Sequence, residues 1–106
     1  MRSKVESYLG FAARARSLST GYNTCIFMME KRKLKLLILT EDLSENSKEK
    51  MLRAAKQYEV PCRTYGKMDD LSHITGTEGK GIFGLADKNL ADAIVSEIDR
   101  QSLEEE

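Results

Sequence analysis

Val5, Tyr8, Leu9 and Ala12 stand at i, i+3, i+4 and i+7, the spacing of a helix that buries one side. The pattern predicts a first helix ending near Ala15, then an extended piece from Ser17 to Thr20. Gly21 opens a second helix, in which Tyr22, Cys25, Ile26 and Met29 repeat the spacing and Ser19 or Thr20 can serve as the cap. Leu34 to Thr40 is almost continuously apolar, as befits a central strand covered on both faces. Asn46 and Glu49 have the spacing of a capping box for a helix that buries Met51, Leu52, Ala55 and Tyr58. Pro61 leads into a strand at Cys62 to Tyr65. Gly66 begins a short helix through Leu71 and Ile74 that stops at Gly76. Gly81 to Ala86 reads as another buried strand, and Asp87 caps a last helix carrying Leu90, Ala91, Ile94 and Ile98.

Helices and strands alternate along the chain, so the layer rule predicts a central sheet with helices on both faces, its first short strand able to run antiparallel at an edge. A length of 106 residues fits one domain over the whole chain, with a frayed tail over 100–106. No apolar run approaches the ~20 residues needed to cross a bilayer. Met1 to Gly10 lacks the apolar stretch of a secretory signal, which places the expected protein in the cytoplasm, away from membranes and monomeric.

Charge changes this picture. The net charge is zero, yet residues 1–35 hold eight Lys or Arg against two Glu, while residues 36–106 hold nine basic against fifteen acidic side chains. The asymmetry predicts a positive face of the kind that attracts phosphate.

Little in the chain points to catalysis. Cys25 and Cys62 with the lone His73 are too few for a four-ligand zinc site, and both cysteines read as buried thiols, so no metal or cofactor is expected. Asp69 and Asp70 read as the favourable acidic start of a helix. Gly79-Lys80-Gly81 fails the phosphate-loop spacing, since Gly76 lies four positions before Lys80 and Gly81 follows it where Ser or Thr belongs.

The second helix is more informative. At ~100° per residue, Phe27 lies roughly 140° around the axis from Tyr22 and outside the core stripe. It shares another face with Asn23 and Thr24. One reading makes Phe27 and Met28 core of a three-layer fold. The other makes Asn23 and Thr24 hydrogen-bonding groups at a helix start, where free N–H groups attract phosphate, with bases stacking on Phe27.

The order of elements, together with Leu9-Gly10-Phe11-Ala12, Arg14-Ala15-Arg16, Gly21, Lys33-Leu34-Lys35-Leu36, Glu41-Asp42, Ser44 to Lys48, Tyr58 to Pro61 and Gly76, resembles the kink-turn-binding ribosomal protein superfamily, and most closely its small bacterial YlxQ-like branch. The resemblance spans about Tyr8 to Ile94. It implies a three-layer α/β/α sandwich with a four-stranded mixed sheet and a non-catalytic role in binding a sharply bent RNA internal loop. The partner it implies is structured RNA, foremost ribosomal RNA, on the ribosome. The family reads this RNA with a Gly-x-Asn-Glu-x-x-Lys pattern at the start of the second helix, a Glu-Asp turn after the central strand and the loop before the last strand. Gly21 and Asn23 match the pattern, Thr24 stands in place of its Glu and Phe27 in place of its Lys. Glu41 and Asp42 match the turn, and Gly76 to Lys80 occupies the loop. Chain order places Arg14, Arg16, Lys31 and Lys33 around the same edge of the sheet, where they would hold the RNA backbone. The competing expectation is a protein-interaction module of the same fold, docking through Tyr22, Phe27 and Met28.

Overall fold

A computed structural model describes residues 3–105. These form α1 (Lys4–Arg14), β1 (Leu18–Thr20), α2 (Tyr22–Glu30), β2 (Leu36–Leu39), α3 (Glu45–Gln57), β3 (Cys62–Thr64), α4 (Met68–Thr75), β4 (Ile82–Leu85) and α5 (Lys88–Glu105). The strands lie in the order β1-β4-β2-β3. β1 and β2 both run antiparallel to β4, and β2 is parallel to β3. The sheet is mixed, and β1 is the antiparallel edge strand.

The period of two along a strand divides the core. Leu36 and Ile38 of β2, with Phe83 and Leu85 of β4, face α1, α4 and α5, where Val5, Leu9, Ala12, Leu71, Ala91 and Ile94 close the layer. Leu37 and Leu39, with Ile82, face α2 and α3 against Cys25, Met29, Met51 and Ala55. All four residues of β2 are fully buried, at roughly 1.5–3 kcal/mol for each leucine or isoleucine side chain removed from water. The result is the three-layer α/β/α sandwich expected from the alternating pattern. Gly84 marks how closely the layers meet: a Cβ there would lie 2.6 Å from Leu34 Cδ1 and 3.2 Å from Cys25 Sγ.

Several local expectations are corrected. The α3 cap is Ser44, whose extended backbone lets Oγ accept from the Ser47 N–H at 3.2 Å, so the helix starts before the Asn46–Glu49 pair. The capping box belongs instead to α1, where Ser3 Oγ accepts from the Glu6 N–H and the Glu6 carboxylate accepts from the Ser3 N–H. Gly66 has φ +70 and cannot be helical, so α4 starts at Met68 with Lys67 as its N-cap. Gly21 itself is the α2 N-cap, without help from Ser19 or Thr20. Leu52 is 51% exposed, because Met51 and Ala55 already fill the line facing the sheet. Tyr22 is 43% exposed, because it occupies the first helical position, level with the start of β4 where the sheet ends. Cys62 is only partly buried, at the start of the edge strand β3. α5 continues through Glu105, over much of the stretch for which fraying is expected. Asp87 does cap α5, accepting from the Leu90 N–H at 3.0 Å.

Candidate functional site

Strand pairing brings three segments to one end of the sheet. Thr20 pairs with Phe83, the Gly21 N–H donates to the Ile82 carbonyl at 2.9 Å, and the Thr40 N–H donates to the Gly81 carbonyl at 3.0 Å. The start of α2, the turn after β2 and the loop before β4 therefore lie side by side.

Gly21 sits at φ 88, ψ 163, a conformation open essentially to glycine alone. Its carbonyl accepts the first helical bond, from the Cys25 N–H at 3.2 Å, and no side chain caps the helix. The N–H groups of the first turn are thus left for an outside acceptor. Asn23, Thr24 and Phe27 are all exposed, Phe27 at 54%. Phe27 is therefore not core, whereas Met28 packs partly against the α2/α3 side.

Lys80 completes this end. A Cβ on Gly21 would lie 3.5 Å from Lys80 Nζ, so the ammonium stands over the positive end of the α2 dipole. Among the described residues it makes no ion pair. Two positive sources held together without a carboxylate between them form a receptive place for an anionic oxygen. The lysine is held by a residue that the sequence did not single out. The buried Ser72 hydroxyl accepts from the Lys80 N–H at 2.9 Å and donates to the Lys80 carbonyl at 3.0 Å. Gly76, at φ 74, turns the chain out of α4 into this loop.

Glu41 and Asp42 occupy the neighbouring turn in structural roles as well. Asp42 Oδ1 accepts from the Met68 N–H at 3.0 Å, supplying α4 with the cap that Lys67 cannot. Desolvation raises the Asp42 carboxyl, but the bonds it accepts, the Met68 N–H first among them, and the nearby Lys67 charge outweigh that and hold it below its ordinary value. Glu41 pairs with Lys67 at 3.3 Å, while its carbonyl accepts from Lys48 Nζ at 2.7 Å.

The remaining cations are distributed differently from the expectation that they flank this site. Arg16 lies two residues before β1, whose Leu18 pairs with Leu85. Lys31 and Lys33 lead into β2, where the Lys35 N–H donates to the Leu85 carbonyl. These three cations mark the opposite end of the sheet, about 10 Å away along β4 at ~3.3 Å per residue. Lys31 Nζ lies 5.4 Å from the centroid of the Phe27 ring, so α2 carries an aromatic and a cation toward that end. Arg14 lies elsewhere again. A Cβ on Gly10 would lie 3.4 Å from Arg14 Nη1 and 3.3 Å from Ile74 Cγ2, which puts the guanidinium on the α1/α4 seam near the helix end that leads into Gly76.

Burial pushes the Cys25 thiol up to about 12, and burial, partly opposed by Arg63, raises Cys62 to about 11. Neither is an activated nucleophile. Among the described residues no group of three or more His, Cys, Asp or Glu side chains is placed to hold a metal, and no helix is long and apolar enough to cross a membrane.

Comparison with known proteins agrees with this architecture. RNA-binding protein YlxQ of Enterococcus faecium is 32% identical over 90 residues, spanning 85% of this chain and 86% of that protein. RNA-binding protein YlxQ of Bacillus subtilis (strain 168) is 30% identical over 91 residues, spanning 86% and 91%. A Bacillus halodurans C protein of unknown function superposes with a TM-score of 0.88 at 28% identity, over 92% of this chain and 99% of that one. The Giardia lamblia 15.5kD RNA binding protein shares the fold, with a TM-score of 0.75 at 14% identity over 94% and 92% of the two chains. Residues 3–94 match the model of the ribosomal protein L7Ae/L30e/S12e/Gadd45 family, and with its YlxQ-like relatives this chain belongs to that family.

Proposed function

We propose that this protein binds structured RNA without catalysing a reaction, seating a bent internal loop of the kink-turn kind, foremost in ribosomal RNA, on the sheet end formed by Gly21, Asn23, Thr24 and Lys80. The observation that carries the reading is the Lys80 ammonium standing beside Gly21, the N-cap of a helix whose first turn has no side-chain cap. A phosphate oxygen fits there, and Asn23 beside it supplies the donor and acceptor needed to read a base edge. The names of the YlxQ relatives agree with an RNA ligand.

Thr24 lacks the carboxylate and Phe27 the cation that the family pattern places at these positions. The reading therefore assigns more of the affinity to phosphate contacts and less to base recognition, and with it a steep dependence on salt. Arg14, on the α1/α4 seam, meets RNA only where it extends past the loop, and Arg16, Lys31 and Lys33 only where it continues along α2 to the far end. The protein acts as a cytoplasmic monomer with no cofactor. Titration against kink-turn, duplex and single-stranded RNA at two salt concentrations tests the proposal: the kink-turn RNA binds most tightly, and absence of binding to all three at low salt overturns it.

A further inference from the structure

A second surface begins where the first one ends. Tyr22 lines a cleft between α2 and α3, about 230 Å³ in volume, together with Ile26, Lys50, Arg53, Gln57 and Tyr58. Lys50, Arg53 and Gln57 lie at i, i+3 and i+7 on the α3 side facing α2. The lining contains two cations and no carboxylate. Among the described residues neither Lys50 nor Arg53 is paired with an acid, although α3 carries Glu45 and Glu49. The volume is below the ~300–1,000 Å³ of pockets that enclose a drug-sized molecule, and the two tyrosines offer flat rings instead of a closed cage. One of them is already engaged, since the Arg32 guanidinium lies 5.6 Å from the Tyr58 ring centroid. The other, on Tyr22, is 43% exposed and follows Gly21 directly.

We infer that this cleft holds a single-stranded RNA segment leaving the internal loop seated at the start of α2, with a base stacked on Tyr22 and its phosphates on Lys50 and Arg53. An aromatic plane followed by unpaired cations along one groove is the chemistry of sequence-tolerant single-strand binding. Lys50 to Arg53 spans about 4.5 Å of helix at ~1.5 Å per residue, so the two cations can contact neighbouring phosphates of one strand. The inference rests on the proposed RNA site for its starting point.

Fluorescence anisotropy with the full chain and three RNAs tests it: a blunt kink-turn duplex, the same duplex with a short single-stranded tail, and the tail alone. The tail should raise affinity about tenfold, the value of one stacked base with its contacts. It should also steepen the salt slope by about 1.4, for two phosphates of a single strand at ~0.7 each. In the double variant Lys50→Gln, Arg53→Gln the tail's added salt slope and part of its added affinity are lost while blunt-duplex binding stays within about twofold. Equal binding of blunt and tailed RNA by the unaltered protein overturns the inference, as does a double variant that keeps the tail's full contribution. Tail binding that depends on Lys50 and Arg53, without any binding of the blunt duplex, would uphold the cleft and refute the proposed function. Circular dichroism of the double variant shows that α3 remains folded.

Discussion

The Ser72 hydroxyl bonds both backbone groups of Lys80, accepting at 2.9 Å and donating at 3.0 Å, and so ties the loop before β4 to the buried side of α4. Replacing Ser72 with Ala removes both bonds and leaves a buried position without its polar partner. We expect a loss of about 1–2 kcal/mol, a fall in Tm of roughly 4–8 °C for each kcal/mol at this size, and faster hydrogen exchange at the Lys80 amide. Chemical denaturation with amide exchange measures both effects. An unchanged exchange rate at Lys80 would mean that the hydroxyl does not hold the loop.

Lys80→Gln keeps a polar, unbranched side chain, about one bond shorter, and removes its charge. Because Lys80 is expected to meet a phosphate and no base, the variant should weaken all RNA targets alike and lower the salt slope by about 1. A loss confined to one sequence would assign the side chain to base reading instead.

Gly84 faces Leu34, whose Cδ1 would lie 2.6 Å from an added methyl group. Gly84→Ala should cost about 1–3 kcal/mol through overpacking. Because the clash has one principal partner, Leu34→Val in the same chain should recover part of that loss. A denaturation double-mutant cycle gives the coupling directly, and simple additivity would contradict the packing account.

Cys25 supplies a pH prediction. Its thiol is raised from 9.0 to about 12 by burial, so above pH 9.0 the unfolded chain releases a proton that the folded chain keeps. The folded state then binds more protons, and stability falls as pH rises between about 9 and 12. Cys62, raised to about 11, acts in the same direction over a narrower window. Cys25→Ala should flatten the alkaline decline in urea midpoints, and an identical decline in that variant would place its origin elsewhere. Alkylation of the native protein should reach the partly buried Cys62 before Cys25.

Much of this architecture is legible in the chain. The stripe Val5, Tyr8, Leu9, Ala12 and the run Leu36 to Leu39 specify an amphipathic helix and a doubly covered strand, because burial on one face or on both leaves a periodicity that composition alone does not. Gly21 and Asn23 are visible for a similar reason: a glycine before an apolar stripe and an exposed amide after it are local features. The relation of Lys80 to Gly21 is not local. It depends on β4 running antiparallel to both β1 and β2, a pairing with no mark in the sequence, and that same pairing sends Arg16, Lys31 and Lys33 to the opposite end. Ser72 carries no mark in the sequence, because a single serine in a short helix looks the same whether its hydroxyl meets water or a backbone. From sequence Asp42 reads as part of the turn after the central strand, and only the Met68 N–H at 3.0 Å shows that it caps α4.

RNA is expected to meet the sheet end where the Lys80 ammonium stands beside the start of α2. The most direct measurement is a titration of isotope-labelled protein with a kink-turn RNA, followed by backbone amide resonances. The largest shifts are expected at Gly21, Asn23, Thr24, Gly79 and Lys80, with smaller ones along α2 toward Lys31. Shifts confined to other surfaces, with these five amides unmoved at saturation, would contradict that placement.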